Sequence, residues 1–399
     1  MSKHKTRASV KEQDNDTPLS YSGPLKRAFA IATHYGFNTI LPKNPQGSFK
    51  RGFKDDAFFV PIAEKEELIK DYLDGKFSHF GSPTMLAYTT RSPVERATLL
   101  KLEIIGSGKS VADALILKTA LSILEDFGAK NFCINLNNIG DAESRNSYIR
   151  DLTNYYKKHL SEMDGRCRDL IKKDPLKILS CEAKRCTALR LDAPKPISYL
   201  SEQVRTHFKE LLEFVENFKI MYRIEDSLLG NEDYSSKTIF EIKACEKESD
   251  LENLLGCPTL GRGGRYDGLA KKIGFRKNIP AVGITLRFPG VPKKESYEKD
   301  ASAKKKPKAY FIQFGFEAKQ KSLDVIEKLR EAKIPIIHSL IKDDLGGQLL
   351  SAEKSGVPFI IIMGQKEVLD ESVMIRNVEN RSQDTVKISE LGAYLKKLL

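Results

Sequence analysis

Leu260-Gly261-Arg262-Gly263-Gly264-Arg265-Tyr266-Asp267-Gly268-Leu269 concentrates four glycines and two arginines in ten residues. Glycine is required where a side chain would block a ligand or where the backbone needs a positive φ. Arginine beside such a turn suits a phosphate or a carboxylate. With Pro280-Ala281-Val282-Gly283-Ile284-Thr285-Leu286 downstream, the pattern predicts a backbone close to a ligand, a helix from Tyr266 to about Ile273 and a buried strand. A tight turn between a strand and a helix explains the glycines equally well.

The run Gly263-Gly264-Arg265-Tyr266-Asp267-Gly268-Leu269, followed by Pro280-Ala281-Val282-Gly283, resembles the histidyl-tRNA synthetase family and its regulatory paralogues. The resemblance implies an α+β fold, with a class II synthetase-like antiparallel sheet flanked by helices over residues 21–290. It also implies a helical insertion within about 145–222.

Length and composition describe a folded chain of two or three domains. Its 399 residues are 40% hydrophobic and 30% charged, which allows buried cores and is unlike a disordered chain. The net charge of +12 favours polyanionic partners. No apolar run approaches a membrane span, and residues 1–20 lack the apolar core of a secretory signal. We therefore expect a disordered tail over 1–20, no membrane partner and a cytoplasmic protein.

The cysteines form no dense framework, which fits a reducing compartment. Cys181 and Cys186 are five positions apart, but no second Cys or His pair stands near them in sequence, as a structural zinc site would require. The sequence therefore predicts no metal site. The six cysteines are Cys133, Cys167, Cys181, Cys186, Cys245 and Cys257.

Residues 24–35 have the apolar spacing of a helix, with Pro24 near its first turn and Gly36 at its end. Phe37-Asn38-Thr39-Ile40-Leu41-Pro42 is typical of a strand closed by proline. This order resembles motif 1 of class II synthetases, which builds their dimer interface. The resemblance implies a homodimer.

A hairpin is predicted from Met85 to Ile105, in the place of class II motif 2. The family's hairpin loop is longer and carries arginines that hold ATP and the end of the tRNA. Here the turn is short, so the comparison rests on Arg91, Pro93 and Arg96 alone.

Gly106-Ser107-Gly108-Lys109-Ser110 follows a strand and precedes a helix, as a phosphate-binding P-loop does. The complete P-loop pattern needs a glycine where Glu103 stands, and no acidic strand end is evident to hold magnesium. The family resemblance, which includes Glu-x-x-Gly-Ser before a helix, accounts for the segment better.

Residues 226–242 resemble the histidine-specific signature of the family, an arginine-glycine loop, then Asp-Tyr-Tyr, then Thr-x-Phe-Glu on a strand. Gly230 stands where the family has its catalytic arginine, and Ser235 stands where it has the second tyrosine. The retained residues are Asp233, Tyr234, Thr238, Phe240 and Glu241.

The resemblance implies that Glu103 accepts an N–H from an imidazole, and that Tyr234 and Tyr266 bind the same substrate. A strand carboxylate hydrogen-bonded to backbone explains Glu103 as well, since buried carboxylates must be paired. Leu99 stands where the family has a glutamine that contacts the substrate. We expect Glu103, Phe240-Glu241 and Tyr266 to surround one cleft.

Synthetases of this class join the amino-acid carboxylate to the α-phosphate of ATP, so arginines and magnesium stabilise the negative charge of the transition state. In direct register Gly290 takes the place of the motif 3 arginine. ATP and magnesium are expected only if the protein is active. The remaining candidates for ATP or a phosphate are Arg91, Arg96, Arg262, Arg265 and Arg287.

Residues 291–307 are rich in Lys, Glu and Ser and predict a linker. Beyond them strands alternate with helices, which predicts a mixed α/β domain over 308–399. Leu345-Gly346-Gly347-Gln348-Leu349 and the strand near 358–363 resemble the anticodon-binding domain of class II synthetases. That resemblance implies tRNA as a partner, and histidine tRNA in particular.

Three hypotheses of function follow. The first is a divergent relative that keeps the scaffold and binds tRNA but has weak or lost ligase activity. The second is an authentic histidine–tRNA ligase in which neighbouring arginines replace the missing one. The third is a regulatory subunit like the paralogue that controls ATP phosphoribosyltransferase, although that paralogue usually lacks the anticodon-type domain.

Overall fold

The computed structural model describes residues 19–21, 25–41, 58, 60–92, 97–181, 183–254, 256–289, 297–299 and 306–398. At 19–21, 173, 180 and 297–299 it describes the backbone alone. Residues 1–18 of the predicted tail, Pro24, Pro42, the turn residues 93–96 and Gly290 lie outside the described residues.

The strands form three sheets. They are β1 (Leu19–Tyr21), β2 (Asn38–Thr39), β3 (Thr84–Arg91), β4 (Ala97–Ile105), β5 (Phe132–Asn138), β6 (Met221–Ile224), β7 (Ser236–Ala244), β8 (Thr259–Arg265), β9 (Ala281–Pro289), β10 (Tyr297–Lys299), β11 (Ala309–Gln313), β12 (Ile336–His338), β13 (Phe359–Met363), β14 (Ser372–Asn377) and β15 (Gln383–Lys387).

The α-helices flank two of these sheets. They are α1 (Lys26–His34), α2 (Ile62–Leu73), α3 (Ser110–Asp126), α4 (Ala142–Lys158), α5 (Gly165–Lys173), α6 (Lys184–Asp192), α7 (Glu202–Asn217), α8 (Leu269–Lys272), α9 (Phe316–Glu331), α10 (Leu345–Lys354), α11 (Gln365–Leu369) and α12 (Leu391–Leu398). Short 3-10 helices cover Ser78–Phe80, Leu160–Glu162, Pro175–Ser180, Pro196–Tyr199 and Glu248–Glu252.

The largest sheet has eight strands in the order β2-β3-β4-β9-β8-β7-β5-β6. Its inner pairs are antiparallel, and the two edge pairs, β2 with β3 and β5 with β6, are parallel. The predicted antiparallel sheet flanked by helices is confirmed for the central strands.

The two faces of this sheet have different chemistry. Since side chains alternate along a strand, residues paired across neighbouring strands share a face. One face carries Leu102, Ile284 and Phe240, which join the main hydrophobic core. On that side lies α3, an apolar helix buried around most of its circumference, as expected for a helix in the centre of a core. The opposite face carries polar residues and is described with the site below.

The glycine-rich stretch is a central strand and not the tight turn that the sequence suggested. Gly263 and Gly264 lie in β8, between β7 and β9. A Cβ at Gly263 would stand 2.2 Å from the carbonyl oxygen of Gly283, so only glycine allows β8 and β9 this close. The strand continues to Arg265, and the following helix, α8, therefore begins at Leu269 rather than at Tyr266.

Helices α4 to α7 occupy the long connection between β5 and β6. Apolar residues between Tyr148 and Ala193 form a small core of their own, separate from the main one. Helix α7 differs, because Phe208, Leu211 and Phe214 pack into the main core. The insertion is thus a small subdomain attached to the main body through α7.

Residues 306–398 build a five-stranded sheet in the order β12-β11-β13-β14-β15, with helices around it. Its helix α9 packs against α3 and α7, and one hydrophobic core continues across both units. Helix α1 lies at this junction: the hydroxyl of Tyr35 donates to Glu327 at 2.6 Å, and His34 Nε2 lies 3.0 Å from the carbonyl oxygen of Ile326.

The P-loop-like segment also serves this junction. The ammonium group of Lys109 donates to the carbonyl oxygen of Ile341 at 3.0 Å and contacts the carboxylate of Asp343. Its charge therefore joins the sheet unit to the C-terminal unit.

Three further observations concern features predicted from the sequence. Cys245 and Cys257 form a disulfide, whereas the sequence suggested reduced cysteines. Within the expected linker, β10 pairs antiparallel with β1. None of the helices in the described ranges combines the length and apolarity that crossing a membrane requires.

Candidate functional site

A row of polar residues crosses the open face of the large sheet. Lys101, Thr285, Arg262, Glu241 and Asn135 stand in register on β4, β9, β8, β7 and β5. Glu241 organises one end of the row, since Arg262 donates to it at 2.8 Å and Asn135 at 3.3 Å. Burial opposes ionisation of Glu241, but Arg262 outweighs it and holds the pKa of that carboxyl below its usual value.

A pocket of about 330 Å³ opens above this face. The sheet provides the floor, residues 229–235 provide one wall, and the insertion provides another through Arg145, Asp174 and Lys177. Tyr234 and Tyr266 both line it, with ring centroids 6.3 Å apart in an edge-to-face arrangement. The two tyrosines that the sequence singled out are therefore brought together in one pocket.

Glu103 lies beneath the pocket and does not line it. Its carboxylate is fully buried, accepts a hydrogen bond from the Tyr266 hydroxyl at 2.8 Å and is ion-paired with Lys65. Lys65 does line the pocket, and its Nζ is 4.5 Å from the centre of the Tyr266 ring. A ligand in the pocket would therefore meet the ammonium of Lys65 before it met Glu103. The partners of Glu103 are thus side chains of the protein. The sequence predicted either the imidazole of a ligand or backbone groups as its partners.

A second buried ion pair continues this network. Lys101 donates to Glu64 at 2.5 Å, and the Tyr88 hydroxyl donates to the same carboxylate at 3.0 Å. Burial is the main reason that the pKa of Lys101 is lowered, and burial also raises the pKa of Tyr88 and that of Tyr266 well above their usual values. Both tyrosines consequently remain hydrogen-bond donors at neutral pH.

Gly230 lies in the pocket wall and has no room for a side chain. A Cβ at this position would stand 2.4 Å from Cβ of Ser235 and 2.9 Å from Cδ1 of Ile239. Ser235 lines the pocket beside it. Gly230 and Ser235, the two departures from the family signature, thus lie against one another. Each is smaller than the arginine or tyrosine of the family, and the two small residues pack together.

Among the arginines singled out from the sequence, Arg262 lines the pocket. Besides its ion pair with Glu241, its guanidinium carbon lies 5.6 Å from the centre of the Phe58 ring. The pair with Glu241 is 2.8 Å long and fixes the guanidinium over the floor.

Arg265 does not face the pocket, contrary to the expectation that it meets a phosphate. Its side chain is fully buried, donates to Asp113 at 2.5 Å and to Asp267 at 3.2 Å, and also contacts the carbonyl oxygen of Ser107. Asp267 in turn accepts from the backbone N–H of Ala281 at 3.0 Å. Arg265 and Asp267 therefore fix β8 to α3 and to the start of β9.

Two other expected phosphate contacts, Arg287 and Arg91, lie away from the pocket lining. Arg287 stands two residues beyond Thr285 on β9, on the same face of the sheet, in register with Leu99 of β4. Arg91 is exposed at the end of β3. Arg96 lies outside the described residues.

The pocket also contains charged residues that the sequence did not single out. Lys177 is 3.0 Å from Glu232 and 3.9 Å from Asp174, which joins the insertion to the loop beside Gly230. Arg145, in the first turn of α4, lines the pocket without an ion pair to any residue that the structure describes. These residues come from an insertion far away in sequence, so no local motif could have identified them.

One further cluster lies in the insertion. The sulfurs of Cys167, Cys181 and Cys186 lie within 4.8 Å of one another. The sequence predicted no metal site because Cys181 and Cys186 had no partner nearby in the chain; folding brings Cys167 beside them.

Comparison with known proteins adds sequence relatives to this geometry. Residues 308–398 match the family described as "Anticodon binding domain". The crystal structure of apo histidyl-tRNA synthetase from S. aureus covers 93% of this chain and 94% of that chain, with 19% identity and a TM-score of 0.49. The histidine–tRNA ligase of Bacillus velezensis is 30% identical over 296 residues, which cover 74% of this chain and 68% of that protein. The one from Fervidobacterium nodosum is 30% identical over 339 residues, covering 84% and 73%. Since such relatives match over more than two thirds of their own length, the chain belongs to the histidyl-tRNA synthetase family.

Proposed function

We propose that this protein binds tRNA, histidine tRNA by its family, and that it activates histidine weakly or not at all. The tRNA part rests on the anticodon-binding domain and on the net charge of +12. The loss of activation rests on Gly230, which presents no charge to the pocket where the family has its catalytic arginine. Charge preorganised in a site that excludes water is worth far more than charge supplied by solvent, so water does not fill this role.

The pairing of Glu103 with side chains of the protein also supports the loss of histidine activation. In the family this carboxylate accepts an N–H from the imidazole of histidine, whereas here it is bonded to Lys65 and Tyr266. Binding histidine at Glu103 would require the ammonium of Lys65 to move, and moving it leaves a buried charge without its partner. Breaking a buried pair in this way typically costs about 3–5 kcal/mol.

An authentic ligase remains the second candidate, because two guanidinium groups line the pocket. Arg262 is fixed by Glu241, and Arg145 stands across from the sheet on the insertion. If ATP binds, Asp233 is a pocket carboxylate without an ion pair among the described residues and could hold magnesium, which takes its other ligands from phosphates and water. A regulatory subunit is the third candidate, and the anticodon-type domain argues against it.

Histidine-dependent exchange of pyrophosphate into ATP distinguishes these candidates. We expect the native protein to turn over about 10²–10³-fold more slowly than the Fervidobacterium nodosum relative assayed beside it, because removal of one such donor typically costs that much. Turnover equal to that of the relative would restore the ligase hypothesis.

A variant that restores the arginine tests whether Gly230 causes the loss of histidine activation. The new side chain must fit the space around this residue. Since an arginine there would collide with Cβ of Ser235, Gly230→Arg is combined with Ser235→Gly, and Ser235→Gly alone is the matched control. The double variant should exchange pyrophosphate at least about tenfold faster than the control, because the added guanidinium stabilises developing charge. Equal rates would assign the loss to Lys65 or to the ATP contacts instead.

Binding of tRNA is tested separately by filter binding of histidine tRNA over a range of salt. We expect affinity to fall steeply with salt, because phosphate contacts release counterions. No binding at low salt would remove the tRNA proposal and leave the catalytic one intact.

We further propose that the protein is a cytoplasmic homodimer through the motif 1-like segment around α1. Light scattering that finds a monomer at micromolar concentration would contradict the dimer.

A further inference from the structure

The insertion has little apolar material with which to hold its own fold. Helices α5 and α6 have nine residues each, and the 3-10 helix Pro175–Ser180 joins them. Their shared core is separate from the main one and contains Cys167 and Cys186 among a small number of aliphatic side chains. A core of this size rarely stabilises a unit by itself, and small natural units commonly add disulfides or a structural metal.

The three thiols converge where these elements meet. Cys167 belongs to α5, Cys181 follows the 3-10 helix, and Cys186 lies in the first turn of α6. Cys167 and Cys186 are buried, and Cys181 is partly buried. The sulfurs of Cys167 and Cys181 are 3.5 Å apart, and all three sulfurs lie within 4.8 Å of one another.

These distances suit a metal ion. With zinc–sulfur bonds of about 2.3 Å, the sulfurs of a tetrahedral site are separated by about 3.8 Å. The Cys167–Cys181 separation of 3.5 Å is close to that value and no separation exceeds 4.8 Å, so an ion at the centre would require only small side-chain movements. A disulfide would need a sulfur–sulfur distance of about 2.05 Å, and it would leave the third thiol unused.

Polar groups around the cluster offset part of the charge of thiolate ligands. The backbone N–H of Ala183 donates to the sulfur of Cys181, as outer-sphere donors to thiolate ligands commonly do. Cys186 lies at the N-terminal end of α6, where the helix dipole stabilises negative charge. Arg190 interacts electrostatically with Cys181. A zinc ion with three thiolates carries a net charge of −1, and these groups offset it.

We propose that Cys167, Cys181 and Cys186 together bind one zinc ion that holds α5, the 3-10 helix and α6 together. Each thiol releases its proton to solvent as it becomes a ligand. No His, Asp or Glu in the described ranges joins the cluster, and we assign the fourth position to water. Thiolate ligands also suit other soft ions, and metal analysis of the protein as isolated identifies the ion.

The test uses the full-length chain, purified under reducing conditions without added chelator. Elemental analysis should find one zinc per chain, and replacement of zinc by cobalt should give the strong sulfur-to-metal absorption of thiolate ligands. Cys181→Ser should weaken zinc binding by more than the 10–100-fold that loss of an outer-sphere partner costs. Cys133→Ser is the matched control, because Cys133 is also a buried free cysteine but lies in β5, and it should bind zinc like the native protein.

A second readout protects the test from variants that fail to fold. Removing the metal from the native protein should increase tryptic cleavage between Arg166 and Arg190 at least about tenfold, while cleavage in the main sheet stays unchanged, because local opening governs proteolysis. Native protein that contains no zinc and takes up none when zinc is added would overturn the proposal. Zinc binding that persists in Cys181→Ser, or proteolysis insensitive to metal removal, would overturn it as well.

Discussion

Arg265 is a cation that the protein uses to hold its own fold together. Its side chain is fully buried and pairs with Asp113 of α3 and with Asp267, two residues beyond it in the chain. Burial opposes ionisation of Asp113, but Arg265 and then His207 hold the pKa of that carboxyl below its usual value. The family signature is therefore partly structural, since its arginine and aspartate position the strand that lines the pocket.

We predict that Arg265→Met destabilises the protein by about 3–5 kcal/mol, because it leaves two buried carboxylates without their cation. Urea unfolding measures the change. Arg27→Met is the control, since Arg27 pairs with Asp126 at the surface and its side chain is 71% exposed. That variant should change the unfolding free energy by less than about 1 kcal/mol. Equal effects of both substitutions would contradict the structural role of Arg265.

Lys65 and Glu103 allow a second prediction at this scale. Lys65→Met and Glu103→Gln should each destabilise the protein, because each leaves a buried partner unpaired, and the double variant should cost less than their sum. We expect a coupling free energy of at least about 1 kcal/mol, measured by urea unfolding of all four proteins. Additive effects would mean that Lys65 does not hold Glu103.

The sequence identified many of these residues but not their partners. Tyr234 and Tyr266 were assigned to one pocket and do line one. Arg265 was assigned to a phosphate and not to Asp113. The pair could not be predicted, because Asp113 lies 152 positions away and no local sequence pattern indicates such a contact. Arg145 and Lys177 were missed for the same reason, since only the folded insertion brings them to the pocket.

Strand β9 illustrates how an element makes room for the site. A Cβ at Gly283 would lie 1.9 Å from Oε2 of Glu103, which crosses over the glycine from the neighbouring strand β4. The space that the glycine leaves is filled by a carboxylate belonging to the protein. Glycine at position 283 is therefore explained by its packing against Glu103. The preference of glycine for turns does not explain it, because Gly283 lies within a strand.

We predict that Gly283→Ala destabilises the protein by about 1–3 kcal/mol, because overpacking a filled core forces its neighbours to move. Thermal unfolding at fixed pH measures the effect. Gly268→Ala is the matched control, since its backbone φ is −81° and no atom lies within 4 Å of its added Cβ. That substitution should be neutral or slightly stabilising. A harmless Gly283→Ala would show that Glu103 does not occupy this position.

The sequence predicted most of the elements and misjudged one of them. Apolar periodicity located the hairpin of β3 and β4 and the alternation of the C-terminal unit. A tight turn was one prediction for the glycine-rich stretch, because glycine is common in turns, yet pairing with β7 and β9 makes it a strand. Long-range packing decides such cases, and it does not appear in local composition.

At the scale of the whole molecule, the junction between the sheet unit and the C-terminal unit contains two partly buried histidines, His34 and His338. Burial, and then the neighbouring His34, lower the pKa of His338 from 6.5 to about 4. Burial is also the main reason that the pKa of His34 is lowered. Glu327 and Arg330 face the same junction.

We predict that the unfolding free energy falls as pH drops from about 6.5 towards 4. In that window the unfolded chain takes up a proton on His338 and the folded chain does not, so stability is lost as pH falls. A shift of this size amounts to roughly 3 kcal/mol at most. Urea unfolding between pH 7.5 and about 4.5 should show a shallower slope for His338→Gln than for the native protein. His79→Gln, at an exposed position, serves as the control, and slopes equal to native in both variants would contradict the prediction.

The continuous core between the two units limits how this protein can be recombined with its relatives. Helix α9 belongs to the C-terminal unit by sequence, yet its buried face packs against α3 and α7, and Tyr35 and His34 reach it from the start of the chain. A chimera that exchanged residues 306–399 alone would set a foreign helix against a surface shaped for this one. The smallest exchangeable part therefore includes the facing residues of α1, α3 and α7, although these are scattered along nearly half of the chain.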